Sequence, residues 1–111
     1  CYSLYSNPVN MIYMLDVPIY KKYDLSSLKN VYLGGQAVGP KLIMRLKNEF
    51  NIEKVNICYG MTETLLLNKQ VLDLDKFDEK EYKFNVGRLN PFIEYKVIDR
   101  NTGLIQPFNE E

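Results

Sequence analysis

The sequence of 111 residues contains no histidine and only two cysteines. Without histidine, the segment has no Ser–His or Cys–His nucleophile pair and lacks the ligand that zinc most often uses. Cys1 and Cys58 are too few for a disulfide framework and too far apart in sequence for a zinc knuckle. We therefore predict a reducing, intracellular setting, with Cys58 as a small buried apolar residue.

An excess of one charge is also lacking, since 14 Lys and Arg residues balance 14 Asp and Glu residues. A protein that binds the backbone of a nucleic acid would need a basic surplus, so no nucleic-acid partner is predicted. Apolar runs such as residues 65–67 are far shorter than a transmembrane segment. The length suits one domain, and hydrophobic residues make up 46%, enough for a core. Because the chain begins with Cys1 instead of Met, we expect an internal piece of a longer protein.

The middle of the chain predicts a βαβ unit within an α/β fold. A short apolar strand at residues 29–33 ends at Gly34-Gly35, and an amphipathic helix follows from Pro40 to Phe50. A second strand covers residues 54–58, so the two strands should be parallel and joined by a right-handed crossover. An earlier helix begins after Asn7, ends before Pro18, and has this predicted apolar face: Val9, Met11, Ile12 and Leu15.

The second half of the chain is less regular. Residues 65–71 suit a strand or a helix equally. Residues 73–83 mix both charge signs, which favours a solvated loop or short helix over a metal cluster. Residues 93–99 alternate apolar and polar side chains, and a turn at residues 101–103 leads to Leu104-Ile105, which predicts a β-hairpin.

Two turns follow the ends of the predicted parallel strands, at residues 34–36 and 59–63. Ligands of open α/β sheets bind at this edge, and glycine permits a close approach to the backbone. The Thr62 hydroxyl would donate to a phosphate oxygen, and the Glu63 carboxylate would hold a hard cation such as magnesium. The competing interpretation treats the glycines as turn formers and Thr62 as a local cap.

Several motifs, in order along the chain, resemble one enzyme family. The segment Tyr-Gly-Met-Thr-Glu at 59–63 resembles the core motif of the acyl-adenylate-forming enzymes, which include acyl-CoA synthetases, 4-coumarate–CoA ligases and beetle luciferases. Residues 23–29 (Y-D-L-S-S-L-K), residues 31–36 (V-Y-L-G-G-Q), residues 86–91 (V-G-R-L-N-P) and residues 94–103 (E-x-K-V-x-D-x-x-T-G) resemble further family segments. Gln36 stands where the family usually has alanine, and Ile57-Cys58 replace a common Gln-Gly pair.

The resemblance implies a role for each matching position. Tyr59 would stack near the adenine ring, Thr62 would contact the α-phosphate, and Glu63 would hold Mg2+. The remaining implied nucleotide-binding positions are Gly34, Gly35, Gln36, Ile57, Cys58, Gly60 and Met61. Gln36 and Gly60 would also line the substrate pocket, together with Leu66 and Leu67, two residues that are equally well explained as ordinary core leucines.

The resemblance further implies a function and a domain organisation. A carboxylic acid would be activated by ATP as an acyl-adenylate and then transferred to coenzyme A. Residues 1–111 would be part of an AMP-binding adenylation domain, with residues 1–72 in its α/β core and residues 84–111 opening a β-rich subdomain. The phosphate loop would precede this segment, and the ribose-binding aspartate and C-terminal domain would follow it, so the segment alone should be inactive.

Three alternatives to this function stay open. They are an amino-acid-activating domain of a peptide synthetase, a luciferase-like monooxygenase and a non-catalytic ligand-binding scaffold. An amino-acid-activating domain would need an acidic residue before the Gly-Gly turn, where Asp16 and Asp24 are the nearest acids. The location implied by the resemblance is peroxisomal or cytoplasmic.

Overall fold

The computed structural model describes residues 1–106, which form one five-stranded sheet, two α-helices and a 3₁₀ helix. The strands are β1 (Ser3–Ser6), β2 (Asn30–Gly34), β3 (Lys54–Tyr59), β4 (Asn68–Asp73) and β5 (Arg88–Leu89). The helices are α1 (Pro8–Asp16), the 3₁₀ helix (Pro18–Lys22) and α2 (Pro40–Phe50). None of the helices in the described part of the chain is long and apolar enough to cross a membrane.

The strands lie in the order β1-β2-β3-β4-β5. β1, β2 and β3 are parallel, whereas β4 and β5 join antiparallel. The α/β fold class and the βαβ unit are therefore confirmed, and a second such unit, β1–α1–β2, precedes the predicted one. Because both crossovers run in the same direction across the sheet, they place α1 and α2 on one face.

The core lies between that face and the two helices. Val31 and Leu33 of β2 are completely buried, and Val55 of β3 is buried beside them. The helices contribute these buried side chains: Met11, Leu15, Leu42, Ile43, Leu46 and Phe50. Side chains at alternate positions of the strands point to the opposite face, where Tyr5 is 72% exposed and stacks on Tyr32 with ring centroids 4.3 Å apart.

The helix α2 has the bounds that the sequence predicts. Pro40 occupies its first turn, and Asn51 ends it in the left-handed conformation with φ of 52°. The predicted strands are also present: β2 lies one residue later than residues 29–33 at both ends, and β3 extends one residue beyond residues 54–58. Strand β1 was not predicted, because four residues containing two serines carry little local signal; it exists by pairing with β2, Ser3 opposite Asn30.

The predicted apolar face of α1 is wrong for two of its residues. Met11 and Leu15 are buried together with Pro8, but Val9 is 54% and Ile12 is 42% exposed. A helix this short buries only one stripe at a spacing of three and four residues, and that stripe starts at Pro8.

The segment at residues 65–71, for which strand and helix were equally suitable, is a strand from Asn68 onward, whereas residues 65–67 belong to the loop before it. β4 pairs along its whole length with β3, Tyr59 opposite Asn68 and Lys54 opposite Asp73. The segment that follows is a loop as predicted, but it is not wholly solvated, because Leu74 is buried and Phe77 packs against the core.

The predicted C-terminal hairpin is present in a minimal form. Ile98 and Ile105 make one antiparallel bridge, and the Asp99 carboxylate accepts hydrogen bonds from the backbone N–H groups of Asn101 and Thr102 at 2.8 and 2.6 Å. These hydrogen bonds lower the pKa of Asp99. The last part of the predicted segment 84–111, residues 107–111, lies outside the described residues.

Candidate functional site

A cleft of about 550 Å³ opens where the parallel strands β2 and β3 end. Ligands of open α/β sheets bind at the carboxyl edge of parallel strands, so its place agrees with the predicted edge. The residues that line the cleft are Gly35, Gln36, Ala37, Val38, Ile57, Cys58, Tyr59, Gly60, Tyr82, Phe84, Asn85 and Val86.

The turn after β2 needs both of its glycines. A Cβ on Gly34 would lie 3.0 Å from the carbonyl oxygen of Cys58 on the adjacent strand. Gly35 has φ of +83°, a conformation that other residues rarely adopt, with open space beside it. The turn therefore presents backbone and the exposed Gln36 side chain to the cleft without a bulky group in front of them.

The end of β3 forms the floor of the cleft. Ile57 is buried, whereas Tyr59 is 47% exposed and lies at the rim. Cys58 is half-buried, so the prediction that it is a buried core residue is wrong; its strand neighbour Gly34 has no side chain to cover it. Burial raises the pKa of the Cys58 thiol, which keeps it protonated near neutral pH.

A tight loop joins β3 to β4 and carries most of the Tyr-Gly-Met-Thr-Glu motif. Its ends are closed by a hydrogen bond from the Leu67 N–H to the Tyr59 carbonyl at 2.8 Å. A Cβ on Gly60 would lie 1.6 Å from the Leu65 carbonyl oxygen, so only glycine lets the loop fold back on itself. Leu65 is 82% exposed and has φ of 58°, a left-handed conformation that is uncommon for leucine.

The predicted site residues fall into two groups, those that line or adjoin the cleft and those on the loop after β3 that do not. Gly35, Gln36 and residues 57–60 line the cleft, and Gly34 adjoins it. The other predicted positions are not among its lining residues: Met61, Thr62, Glu63, Leu66 and Leu67. The first three of these are exposed, whereas the two leucines are half-buried.

The second wall of the cleft was not predicted from the sequence as part of a site. It comes from residues 82–86, which are more than forty positions away from the Gly-Gly turn in the chain. The Tyr82 hydroxyl donates a hydrogen bond to the Val38 carbonyl at 3.0 Å and so joins the two walls. Burial raises the pKa of this hydroxyl, so it stays a donor at neutral pH. The only sequence signal nearby is the motif that begins at Val86.

The second wall is anchored to the sheet through Gly87. A Cβ on Gly87 would lie 2.1 Å from the Lys69 carbonyl oxygen, and the Asn68 amide donates to the Gly87 carbonyl at 3.3 Å. Further along, the Asn90 amide donates to the Leu66 carbonyl at 2.9 Å. The first two contacts tie the wall to β4, and the third ties the loop after β3 to the segment after β5.

The donor groups for a metal ion are few. Within residues 1–106, no three His, Cys, Asp or Glu side chains lie close enough together to hold a metal. Magnesium is commonly bound by one or two carboxylates while the phosphates of a nucleotide complete its ligands. A single exposed carboxylate at Glu63, next to the Thr62 hydroxyl, suits a magnesium ion that arrives with a nucleotide.

The two acidic residues before the Gly-Gly turn do not reach the cleft. Asp16 forms an ion pair with Arg45 at 2.8 Å on the helical side of the sheet. Asp24 accepts a hydrogen bond from the Ser26 N–H at 2.9 Å, and this bond lowers the pKa of Asp24. Neither carboxylate lines the cleft, so neither would recognise an amino group there.

Comparison with protein-family models matches residues 3–111 to the family described as AMP-binding enzyme. Among curated proteins, the mitochondrial medium-chain acyl-CoA ligase ACSF2 of Danio rerio is 31% identical over 111 residues, covering 100% of this chain and 18% of the relative. The ACSF2 protein of Bos taurus is 26% identical over 106 residues, 96% of this chain and 17% of the relative. The luciferin 4-monooxygenase of Photuris pensylvanica is 32% identical over 103 residues, 93% of this chain and 18% of the relative.

Solved structures show the same fold. The luciferase-like enzyme from the nonluminescent mealworm Zophobas morio superposes with a TM-score of 0.73 at 26% identity, covering 97% of this chain and 26% of the other. The crystal structure of VinN gives a TM-score of 0.74 at 18% identity, covering 99% and 27%. The chain thus spans 17–18% of the length of these curated relatives.

Proposed function

The chain belongs to the AMP-binding enzyme family, and from this premise we propose that it is part of an ATP-dependent ligase that activates a carboxylic acid as an acyl-adenylate and transfers the acyl group to coenzyme A. One observation carries the proposal: the cleft at the ends of β2 and β3 is lined by the Gly-Gly turn and by Tyr59 and Gly60, the first two residues of the Tyr-Gly-Met-Thr-Glu motif. Both belong to segments that resemble the acyl-adenylate-forming enzymes.

In this proposal the cleft binds the nucleotide. Tyr59 at the rim stacks on the adenine ring, and the backbone at Ile57 and Cys58 faces the base. Gly35 and Gln36 line the same cleft from the turn, so the flat base lies between two pieces of backbone. Met61 follows on the loop and contributes backbone contacts toward the phosphates.

Thr62 and Glu63 act on the phosphate side. The Thr62 hydroxyl donates a hydrogen bond to an α-phosphate oxygen, and the Glu63 carboxylate holds magnesium. Bound magnesium supplies charge neutralisation at the phosphates. Alignment and charge stabilisation provide most of the catalysis in such a transfer, which is why two small polar groups on a short loop suffice for this part of the site.

The acid substrate lies next to the loop. Gly60 lies where the carboxylate attacks, and Gln36, Leu66 and Leu67 contribute to the pocket wall. Gln36 is longer and more polar than the alanine usual in the family, so the preferred acid should differ from that of relatives with alanine. Neither Asp16 nor Asp24 would recognise an amino group on the acid, because their carboxylates are bonded elsewhere.

The remaining parts of the enzyme lie outside this segment in our proposal. Residues 1–72 belong to the α/β core of an adenylation domain, and residues 84–111 begin its β-rich subdomain. The rest of that domain and a C-terminal domain would supply the phosphate loop, the ribose-binding aspartate and a lysine. We propose an intracellular location; the two ACSF2 relatives are named as mitochondrial, which offers no support for a peroxisomal or cytoplasmic one.

A pyrophosphate-exchange assay tests the activation step in the full natural chain. We expect exchange of labelled pyrophosphate into ATP only when a suitable acid is present, using a panel of straight-chain fatty acids and aromatic acids. Addition of coenzyme A should then yield a thioester, detected by mass spectrometry. Absence of acid-dependent exchange across the panel would contradict the proposal.

Oxygenation is the second candidate, because a luciferin 4-monooxygenase is among the relatives at 32% identity. Such an enzyme would also form an adenylate, so exchange alone does not separate the two. Oxygen consumption and light emission with luciferin and ATP would favour the monooxygenase, whereas a coenzyme A thioester without oxygen uptake favours the ligase.

A further inference from the structure

A second, more open cavity adjoins the cleft. It has a volume of about 420 Å³ and shares two lining residues with the cleft, Tyr82 and Asn85. Its other lining side chains include the charged residues Asp73, Lys76, Asp78, Glu81 and Lys83. Residues common to two adjoining cavities form the partition between them, so Tyr82 and Asn85 separate the cleft from this charged space.

The ring of Tyr82 packs against two aromatic side chains. Phe77, which lines the second cavity, contacts it with ring centroids 5.4 Å apart. Phe84, which lines the cleft, packs edge-on against it with ring centroids 5.8 Å apart. The hydrogen bond from the Tyr82 hydroxyl to the Val38 carbonyl also restrains the ring.

The second partition residue is fixed as well. The Asn85 side-chain oxygen accepts a hydrogen bond from the Gly87 N–H at 2.6 Å, and Gly87 is confined against β4. The partition thus has one end on the loop before α2 and the other on the sheet. A wall fixed at both ends gives the cleft a defined depth.

We propose that Tyr82 is a positioning residue that closes the inner end of the base-binding cleft and thereby sets the size of nucleobase the protein accepts. This inference rests on the proposed function, since it takes the ligand of the cleft to be the base of ATP. The ring acts as the stop against which the base edge lies, and the hydroxyl holds the wall at residues 82–86 at a fixed distance from the turn at residues 35–38.

The test compares AMP with N6-benzyl-AMP, an analogue whose base carries an additional ring. Calorimetric dissociation constants are measured on the full natural chain for wild type, Tyr82→Ala, Tyr82→Leu and Tyr82→Phe. We expect wild type and Tyr82→Phe to exclude the analogue. In Tyr82→Ala and Tyr82→Leu the cleft opens toward the second cavity, and the analogue should bind at least about tenfold more tightly than to wild type.

Tyr82→Phe tests the hydroxyl separately from the ring. Loss of one hydrogen bond between the walls should weaken AMP binding about fivefold, and KM for ATP should rise while KM for the acid stays unchanged. A merely structural role would alter both KM values together. Tyr82→Leu retains apolar packing on Phe77, so it keeps the test valid if Tyr82→Ala does not fold.

Tyr20→Ala is the matched control. Tyr20 is also partly buried, packs edge-on against Phe50 at 4.7 Å and donates a hydrogen bond to Glu49 at 3.0 Å, but it does not line the cleft. Tyr20→Ala should lower the stability of the protein, but the variant should not bind N6-benzyl-AMP more tightly than wild type does.

The outcomes separate the inference from the proposed function. If wild type binds no AMP, the proposed function fails. If wild type binds AMP and both Tyr82→Ala and Tyr82→Leu reject the analogue as wild type does, the partition does not set base size and the inference alone is overturned. A changed preference for acid length with unchanged nucleotide selectivity would also overturn it, because the inner end of the cleft would then hold the acyl group.

Discussion

Three glycines near the cleft lie where two segments of backbone approach each other closely. Gly34, Gly60 and Gly87 each lie where a Cβ would meet a backbone carbonyl oxygen of a neighbouring segment, at 3.0, 1.6 and 2.1 Å. Each therefore allows two pieces of backbone to approach near the cleft. By contrast, Thr62 and Glu63 are exposed on the loop after β3, so their proposed roles depend on what they would bind and not on packing.

Glu63→Gln tests the proposed metal ligand. The substitution keeps the volume of an exposed side chain and removes its charge, so the midpoint of thermal unfolding should be unchanged. At limiting magnesium, adenylation by the full natural chain should fall by about hundredfold to thousandfold, the range seen when a charge-stabilising contact to a reacting group is removed. The measurement is acid-dependent pyrophosphate exchange against magnesium concentration.

Glu79→Gln serves as the control for this experiment, because Glu79 is also exposed and does not line the cleft. Equal magnesium dependence for Glu63→Gln and wild type would show that Glu63 does not hold the ion.

At the scale of elements, the loop between β3 and β4 connects the site to the sheet. It follows a parallel strand and leads into an antiparallel one, so the chain reverses within eight residues between Tyr59 and Asn68. The reversal is possible because residue 60 has no side chain. At the far end of the loop, the Asn90 side-chain amide donates a hydrogen bond to the Leu66 carbonyl, which links the loop to the segment after β5.

Gly60→Ala should disrupt this loop. The added methyl would lie 1.6 Å from the Leu65 carbonyl oxygen, so the backbone at residues 65–66 must move. We expect a loss of about 1–3 kcal/mol in the free energy of unfolding, the usual cost of forcing an extra carbon into a packed place. Urea denaturation of the full natural chain measures it.

Gly39→Ala is the matched substitution, since a Cβ there would meet no atom within 4 Å and Gly39 has an ordinary φ of −77°. Gly39 is the N-cap of α2, where alanine is less favourable than glycine, so the effect should be a loss of less than about 1 kcal/mol. Equal stability of the two variants would mean that the loop does not fold back on Gly60.

At the scale of the whole molecule, the sheet is covered on one face only among the described residues. Both helices pack on the face that carries Val31 and Leu33, whereas the stacked pair Tyr5 and Tyr32 lies on the other. Val71 of β4 shares that second face and is 51% exposed. Exposed apolar area of this kind favours association with other surfaces.

We expect the 111-residue chain by itself to associate nonspecifically through this exposed apolar surface. We also expect it to be inactive, because the other parts of the proposed site lie outside it. We expect no acid-dependent pyrophosphate exchange above background, and strong fluorescence of a dye that binds exposed apolar surface. The full natural chain, assayed beside it, should show exchange and weak dye binding. Clear turnover by the isolated chain would contradict the prediction, because it would show that this segment holds a complete site.

Local patterns in the sequence determined the elements whose side chains carry their own signal. The helix α2 follows from Pro40 at its start, four apolar residues on one face and Asn51 at its end. The α/β class, the strands β2 and β3 and the glycine turn after β2 follow in the same way, because spacing, propensity and turn chemistry act over a few residues. The family was also evident from motifs that resemble it in order along the chain.

Only the tertiary structure decided what depends on partners distant in the chain. Strand β1 exists through pairing with β2, and the ambiguous segment became β4 through pairing with β3. The second wall of the cleft depends on a hydrogen bond between Tyr82 and Val38, which are 44 positions apart. No pattern in a short window encodes such a contact. The sequence alone thus determined which residues could face a ligand at the strand ends, and the packing decided how deep and how wide the cleft is.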